Sequence, residues 1–454
     1  MTTRALARFA AGTRVADVPP SVLRAARLSV LDWLGSCIAG APSVPARILE
    51  ETARELGGTP EATVIGSGLR TSAPLAALAN AAASHVCEMD DLDRASIYHP
   101  AAPVVSAALA VAERQHAPGP ELLRAVVLGY EVSIRIGEAL GPSHYTYWHT
   151  TGTAGTFGAA VAAGVLLGLD EAAMLHALGS AGTQAAGIWE FLADGAMSKQ
   201  LHPAKAAMNG ILAALIAARG FTGATRVLEG EKGYLRATSA AFDESRLTEG
   251  LGPGMARWRI TGVSFKPHAS CRHTHPAVDA ALALRREHGL RPEEVAEVHV
   301  RLYRQGYELL AGVTADTPYA AKFNLPYCVA CALLYGDVGL DRFSEERLHD
   351  PELRALMARV RAEPDPALDA LYPAQWPSVV TVRTRDGRTL ERRVDHPKGD
   401  PENPLTEDEV VAKFHAMAAP VTGEARAARY AEAVLGLERL ADVTALTAAA
   451  APAP

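Results

Sequence analysis

The sequence predicts a mainly α protein: a large all-helical domain formed by both chain ends, with a smaller α+β domain set between them. Three observations carry this. Alanine-rich runs with helical apolar spacing fill the chain to about residue 258. Alternating, strand-like runs are concentrated between 263 and 397. After a Pro/Gly/Asn-rich connection, helical periodicity returns to near the C-terminus. The expected division is 1–262 and 398–454 for the helical domain and 263–397 for the α+β domain.

The helices follow from local pattern. PSVLRAARLSVLDWLGSCIAG (20–40) spaces Leu23, Ala26, Val30, Leu34 and Cys37 on one face and stops at Gly40. The runs at 72–89, 101–115, 120–141 and 201–221 read alike, and alanine dominates them because it loses least on entering a helix. ATVIG (62–66) is the single strand-like run of the first part. In EEVAEVHVRLY, Val298, Val300 and Leu302 alternate with His299, Arg301 and Tyr303. SVVTVRTRDGRTLERRVD is two alternating runs about Asp386-Gly387, a hairpin signal. KFNLPYCVACALLYG (322–336) and SEERLHDPELRALMARV (344–360) read as helices, as do 407–418 and 424–440. The final ALTAAAAPAP is low in complexity and expected to fray.

Composition removes several classes. A chain of 454 residues that is 49% hydrophobic can bury a large core, and a net charge of -7 argues against nucleic-acid binding. The first twenty residues lack a signal-peptide core and read as structured. Five cysteines, Cys37, Cys87, Cys271, Cys328 and Cys331, are few and odd in number, which fits a reducing cytoplasm. GTAGTFGAAVAAGVLLGL (152–169) carries no charge, but it is rich in Ala, Gly and Thr, so it reads as a buried helix rather than a membrane span.

Polar groups beside apolar helix mark the candidate site. EMDDLDRASIYHP opens with Glu88, Asp90, Asp91 and Asp93 and ends on His99-Pro100. His149 precedes the uncharged helix. Lys199, His202 and Lys205 sit at a helix start, where cations oppose the macrodipole. SFKPHASCRHTHP carries Lys266, His268, Cys271, Arg272, His273 and His275; KFNLPYCVAC carries Lys322 and Tyr327. A solvated turn is the plain alternative for the acidic cluster, and a core histidine the plain alternative for His149. No spaced pair of ligand pairs supports structural zinc, and the phosphate-loop, dinucleotide-fold and nucleophile-elbow patterns are absent. Acids, histidines, lysines and a tyrosine without a cofactor suit proton abstraction beside a carboxylate.

Taken in order, HVCEMDDLDRASIYHP, WHTTGTAGTFGAA, SKQLHPAKAAMNG, SFKPHASCRHTHPAVDA, AKFNLPYCVACALLYG and HPKGDPENPLT resemble the MmgE/PrpD family over nearly the whole chain. The resemblance implies a helical domain with an α+β lid, a homodimer, a site in the interdomain cleft and no metal or other cofactor. It implies catalytic roles for His99, His149, Lys199, Lys266, Tyr327 and Asp91. It implies substrate contacts for Glu88, Asp90, His202, Cys271, Arg272 and His275. Cys271 and Leu92-Asp93 depart from the family's decarboxylase pattern. The expected activity is therefore a lyase of the 2-methylcitrate dehydratase type, acting on a small β-hydroxy di- or tricarboxylate. Decarboxylation of a cis-aconitate-like acid and epimerisation of an iminodisuccinate-like acid are the alternatives within the family; an inactive carboxylate-binding relative is the alternative outside it. Activity is expected to survive exhaustive chelation; stoichiometric zinc or iron whose removal abolishes turnover would overturn that expectation.

Overall fold

The computed structural model describes residues 1–448 apart from 194 and 253. It is 60% helical and 8% strand, a mainly α fold. The C-terminal low-complexity stretch lies, from 449 onward, outside the described residues; just before it, Thr444–Thr447 forms a helical turn. By contacts the chain divides into two compact units, residues 1–86, 90–263 and 406 onward in one, 87–89 and 264–405 in the other.

The first unit is a packed helical core. Helix Pro20–Gly40 is buried at thirteen positions in one run or another, among them Asp32, Trp33 and Leu34. Ala73–Val86, Ala101–Arg114, Thr150–Leu166 and Ser198–Ala217 pack on one another through alanine and glycine, side chains small enough to bring backbones close. The uncharged stretch forms Thr150–Leu166, buried from Thr150 to Val165. No helix among the described residues is long and apolar enough to cross a membrane. ATVIG yields the two-residue strand Ala62–Thr63, whose partner Arg70–Thr71 is too short to show a period.

The last helices complete this core. Thr406 and Glu409 form the reciprocal cap of helix Glu407–Thr422: the Glu409 N–H donates to Thr406 Oγ1 at 3.2 Å, and the Thr406 N–H donates to Glu409 Oε2 at 2.7 Å. Lys413 of this helix ion-pairs with the fully buried Asp32 of Pro20–Gly40. Removing one partner of such a buried pair costs about 3–5 kcal/mol. Arg27 adds contacts to Glu407 (3.4 Å) and Glu438 (3.1 Å).

In the second unit, four strands order as Val360–Pro364, Val295–Leu302, Ser378–Thr384, Thr389–Val394. The first pair is parallel and the others antiparallel. Val298, Val300 and Leu302 are fully buried, and helices His275–His288 and Leu325–Tyr335 cover the sheet. The hairpin turns at Asp386-Gly387, with Arg383 opposite Thr389. The segment expected as one helix over 344–360 instead breaks at Asp350-Pro351. Asp350 accepts from the Glu352 N–H at 2.9 Å and caps Pro351–Met357, and the chain from Val360 becomes an edge strand because parallel pairing with Val295–Leu302 satisfies its backbone. All five cysteines are buried, and none is in a disulfide.

His144 shows how buried imidazoles are held neutral. Its Nδ1–H donates to the Thr238 carbonyl at 3.0 Å, and Nε2 accepts from the Thr153 hydroxyl at 2.9 Å. Burial pulls its pKa down to about 4. The unfolded chain then binds a proton below about pH 6.5 that the folded chain refuses, so this group's contribution is lost as pH falls from about 6.5 toward 4. Buried Asp93, pushed up to about 6 by burial, acts in the opposite direction. Comparing wild type with His144→Gln isolates the histidine: the stability gap in urea melts should shrink by about 1–2 kcal/mol between pH 7 and pH 5. A constant gap would refute the assignment.

Candidate active site

All four carboxylates of the Glu88–Asp93 stretch are buried, so it is not a solvated turn. Each has its own partner. Asp93 accepts from the Ser96 N–H (2.8 Å) and hydroxyl (2.6 Å), and Asp93 and Tyr98 exchange backbone bonds, closing a tight loop. Asp91 accepts from the Tyr130 hydroxyl at 2.8 Å and from the Ala101 N–H at 3.0 Å, the first turn of Ala101–Arg114. Burial, with Asp32 nearby, raises its pKa well above the carboxylate range. Asp91, expected to be catalytic, thus anchors the loop to two helices.

Asp90 orients two histidines. His85, in the last turn of Ala73–Val86, directs Nδ1 at Asp90 Oδ2 at 2.7 Å. His99 directs Nδ1 at the Asp91 carbonyl (2.8 Å) and stands 3.4 Å from Asp90 Oδ2. Both Nδ1 atoms face acceptors, so each donates there.

His149 and His202 come from other elements of the same unit. His149 is the N-cap residue of Thr150–Leu166, and its N–H donates to the Gly187 carbonyl at 2.9 Å. Gly187 has φ 144°, and a Cβ there would lie 3.0 Å from the His202 ring; only glycine brings this backbone so near. His202, in the first turns of Ser198–Ala217, meets His149 Nδ1-to-Nδ1 at 3.0 Å. Ring centroids run His99–His85 5.1 Å, His85–His149 5.6 Å and His149–His202 5.2 Å. Trp189 flanks His149 at 4.8 Å.

The electrostatics favour anions. Burial, then His202, His85, Lys199 and His99, hold His149 far below the usual imidazole value. Burial, then His85, Lys205 and Lys199, bring His202 down to about 3. Burial alone brings Lys205 to about 8. Lys199 is also buried. The Nε2 atoms of His85, His149 and His202 have no hydrogen-bond partner among the described residues.

The other expected residues lie in the second unit. Lys266 Nζ reaches Glu88 Oε2 at 3.4 Å, and the Tyr319 hydroxyl donates to Glu88 Oε1 at 3.1 Å. Glu88 holds φ 56°, unusual for a side chain of its size and typical of functional sites. Lys322 donates to the Cys87 carbonyl at 2.7 Å and lies 5.0 Å over the Phe343 ring; burial lowers its pKa to about 8. The Cys271 N–H donates to the Lys322 carbonyl at 2.9 Å, so Cys271 places this lysine through its backbone.

Arg272 ion-pairs with Asp400 and donates to His275 Nδ1 at 2.8 Å; His275 Nε2 donates to the Ser270 carbonyl at 3.2 Å. These two residues, expected at substrate, bind the 396–406 loop. Gly399 of that loop, at φ 94°, accepts from the Phe265 N–H at 3.0 Å where a Cβ would collide with the Phe265 carbonyl, and so fixes the approach to Lys266. Tyr327, expected to be catalytic, donates its hydroxyl to the Arg342 carbonyl at 2.6 Å, and the hydroxyl at Glu88 is that of Tyr319.

Sequence reasoning missed His85, Trp189 and Tyr319. A histidine in the last turn of a helix, where a cation suits the dipole, five residues before an acid, was the signal for His85. Among the described residues, His85, Asp90 and His99 offer ligand-type atoms within 4.8 Å of one another, as do His396, Asp400 and Glu402. The 2.7 Å His85–Asp90 contact is a hydrogen bond that an ion would have to break, and Asp400 is engaged by Arg272.

Two domain models of one family match the chain: the MmgE/PrpD N-terminal domain over residues 4–246 and the MmgE/PrpD C-terminal domain over 268–439. The chain belongs to the MmgE/PrpD family. Among its relatives, a cis-aconitate decarboxylase of Aspergillus terreus is 27% identical over 98% of this chain and 94% of its own length. A cis-aconitate decarboxylase-like protein, oryM, of Aspergillus oryzae is 28% identical over 98% and 96%. The human cis-aconitate decarboxylase is 27% identical over 98% and 93%.

Proposed function

We propose that this protein is a lyase that moves a proton at the carbon beside a carboxylate of a small di- or tricarboxylic acid. The observation that carries the proposal is the row of buried imidazoles of His85, His149 and His202, whose Nε2 atoms have no hydrogen-bond partner among the described residues, set beside Lys199 and Lys205. A substrate carboxylate is a complementary partner for this set of imidazoles. Its arrival raises the basicity of His149 and His202, since an opposite charge at close range favours the protonated form. The base is thus strong where substrate is bound and weak where it is not.

Loss of CO2 from a cis-aconitate-like acid is the first reading, supported by the relatives' activity. Loss of water from a β-hydroxy acid is the second. It needs an acid for the departing hydroxyl as well as a base. The apolar Ile48, Leu56, Leu201 and Leu212, exposed on helices Val44–Leu56 and Ser198–Ala217, support a homodimer.

Proton NMR in D2O against a panel of unsaturated and hydroxylated polycarboxylates tests the reading. Cis-aconitate is expected to lose CO2 or exchange protons; a panel left unchanged would refute the substrate class. His149→Gln should lower turnover about 10²–10⁴-fold. Lys199→Ala should act mainly on KM, losing a charge-assisted bond worth about 1.5–3 kcal/mol. Light scattering should give twice the 47.8 kDa chain mass at micromolar concentration, and a monomer would count against the dimer.

A further inference from the structure

We infer that His149 and His202 act as one neutral proton relay, in which a proton taken at one Nε2 is matched by a proton given from the other; the inference rests on the proposed reading of this site. The two rings meet Nδ1-to-Nδ1 at 3.0 Å. A hydrogen bond between two imidazole nitrogens holds a single proton, so one ring donates and the other accepts. Their tautomers are therefore opposite. When His149 carries the Nδ1 proton, its Nε2 is a base and His202 presents Nε2–H as an acid. When the shared proton crosses, the roles exchange.

The step balances. His149 Nε2 takes the proton from the carbon beside the carboxylate, breaking C–H and forming N–H. The His149 Nδ1 proton passes to His202 Nδ1. The His202 Nε2 proton passes to the far end of the substrate: to a departing hydroxyl, which leaves as water, or to the other terminus of an allylic system, which shifts the double bond. Each ring loses one N–H bond and gains one. Neither ring ends charged, and exchange with solvent water restores the starting tautomers.

The surroundings explain why a neutral relay is preferred over an imidazolium. Both rings are buried, at 2% and 6% exposure, with Lys199, Lys205, His85 and His99 as their charged or titratable neighbours. A lone positive ring there is opposed by desolvation and by the two lysines. Gly187 lets the backbone that receives the His149 N–H close over the His202 ring, fixing the pair.

Two measurements test the relay. In 15N-histidine NMR of the intact protein at pH 7, with single variants for assignment, one Nδ1 of the pair should be protonated and the other not, both rings neutral; an imidazolium at either would overturn the relay. These tautomers are read without substrate. His202→Asn places an amide where Nδ1 was, keeping the bond to His149 but removing Nε2. It should lower kcat about 10²-fold with KM changed less than about threefold, while substrate α-proton exchange with D2O persists. A kcat within about threefold of wild type, or exchange lost together with turnover, would show His202 to be only a support for His149. Failure of the unaltered protein to act on any polycarboxylate strikes at the substrate class, and the NMR tautomers then decide the pair alone.

Discussion

Asp90 is the charge around which the candidate site of the helical unit is arranged. A buried carboxylate with no cation at hand would be neutral or would destabilise the fold. Here it is satisfied by His85 from a helix end and faced by His99 from the close of its own loop. Those two rings fix the spacing of the next, His149, which in turn locks His202. Asp91, one residue on, ties the loop to Ala101–Arg114 and Tyr130 through its carboxylate, so the acid that faces the histidines is itself held in place by its neighbour. Adjacent residues of identical type thus meet different partners, histidine rings for Asp90 and a tyrosine hydroxyl with a helix N–H for Asp91.

The same division recurs in the second unit. Lys266 and Lys322 lie buried around Glu88 and the Cys87 carbonyl, while Arg272, His275 and Asp400 use their bonding capacity to hold a loop. In the dense cationic run SFKPHASCRHTHP, Lys266 thus meets Glu88 while Arg272 and His275 hold the neighbouring loop. Loop 396–406 and the Lys266 segment are bonded to each other, through Gly399 and Phe265 as well as Asp400 and Arg272.

Periodicity gave the architecture where one face of an element decides its burial. The buried faces of Val295–Leu302 and Ser378–Thr384 were readable in this way. It failed where tertiary pairing overrides local pattern: Val360–Pro364 continues a helical rhythm and becomes a strand because a neighbour completes its hydrogen bonds. At the site, residue type and motif picked out His99, His149, Lys199, His202 and Lys266. They did not separate Asp90 from Asp91, or Tyr319 from Tyr327. Those distinctions rest on which partner each group meets: His85 for Asp90, Tyr130 for Asp91, the Arg342 carbonyl for Tyr327, and Glu88, 231 residues away in sequence, for Tyr319.

Lys413 and Asp32 join the two ends of the chain inside one core. The consequence is one of timing. During synthesis from the N-terminus, Asp32 and the apolar face of Pro20–Gly40 emerge long before helix Glu407–Thr422 exists to cover them. Charge and surface that the finished unit buries stay uncovered while the whole second unit is being made. The helical unit is thus assembled first in sequence and closed last in time, and the final helices act as the fastener of a core begun some 380 residues earlier.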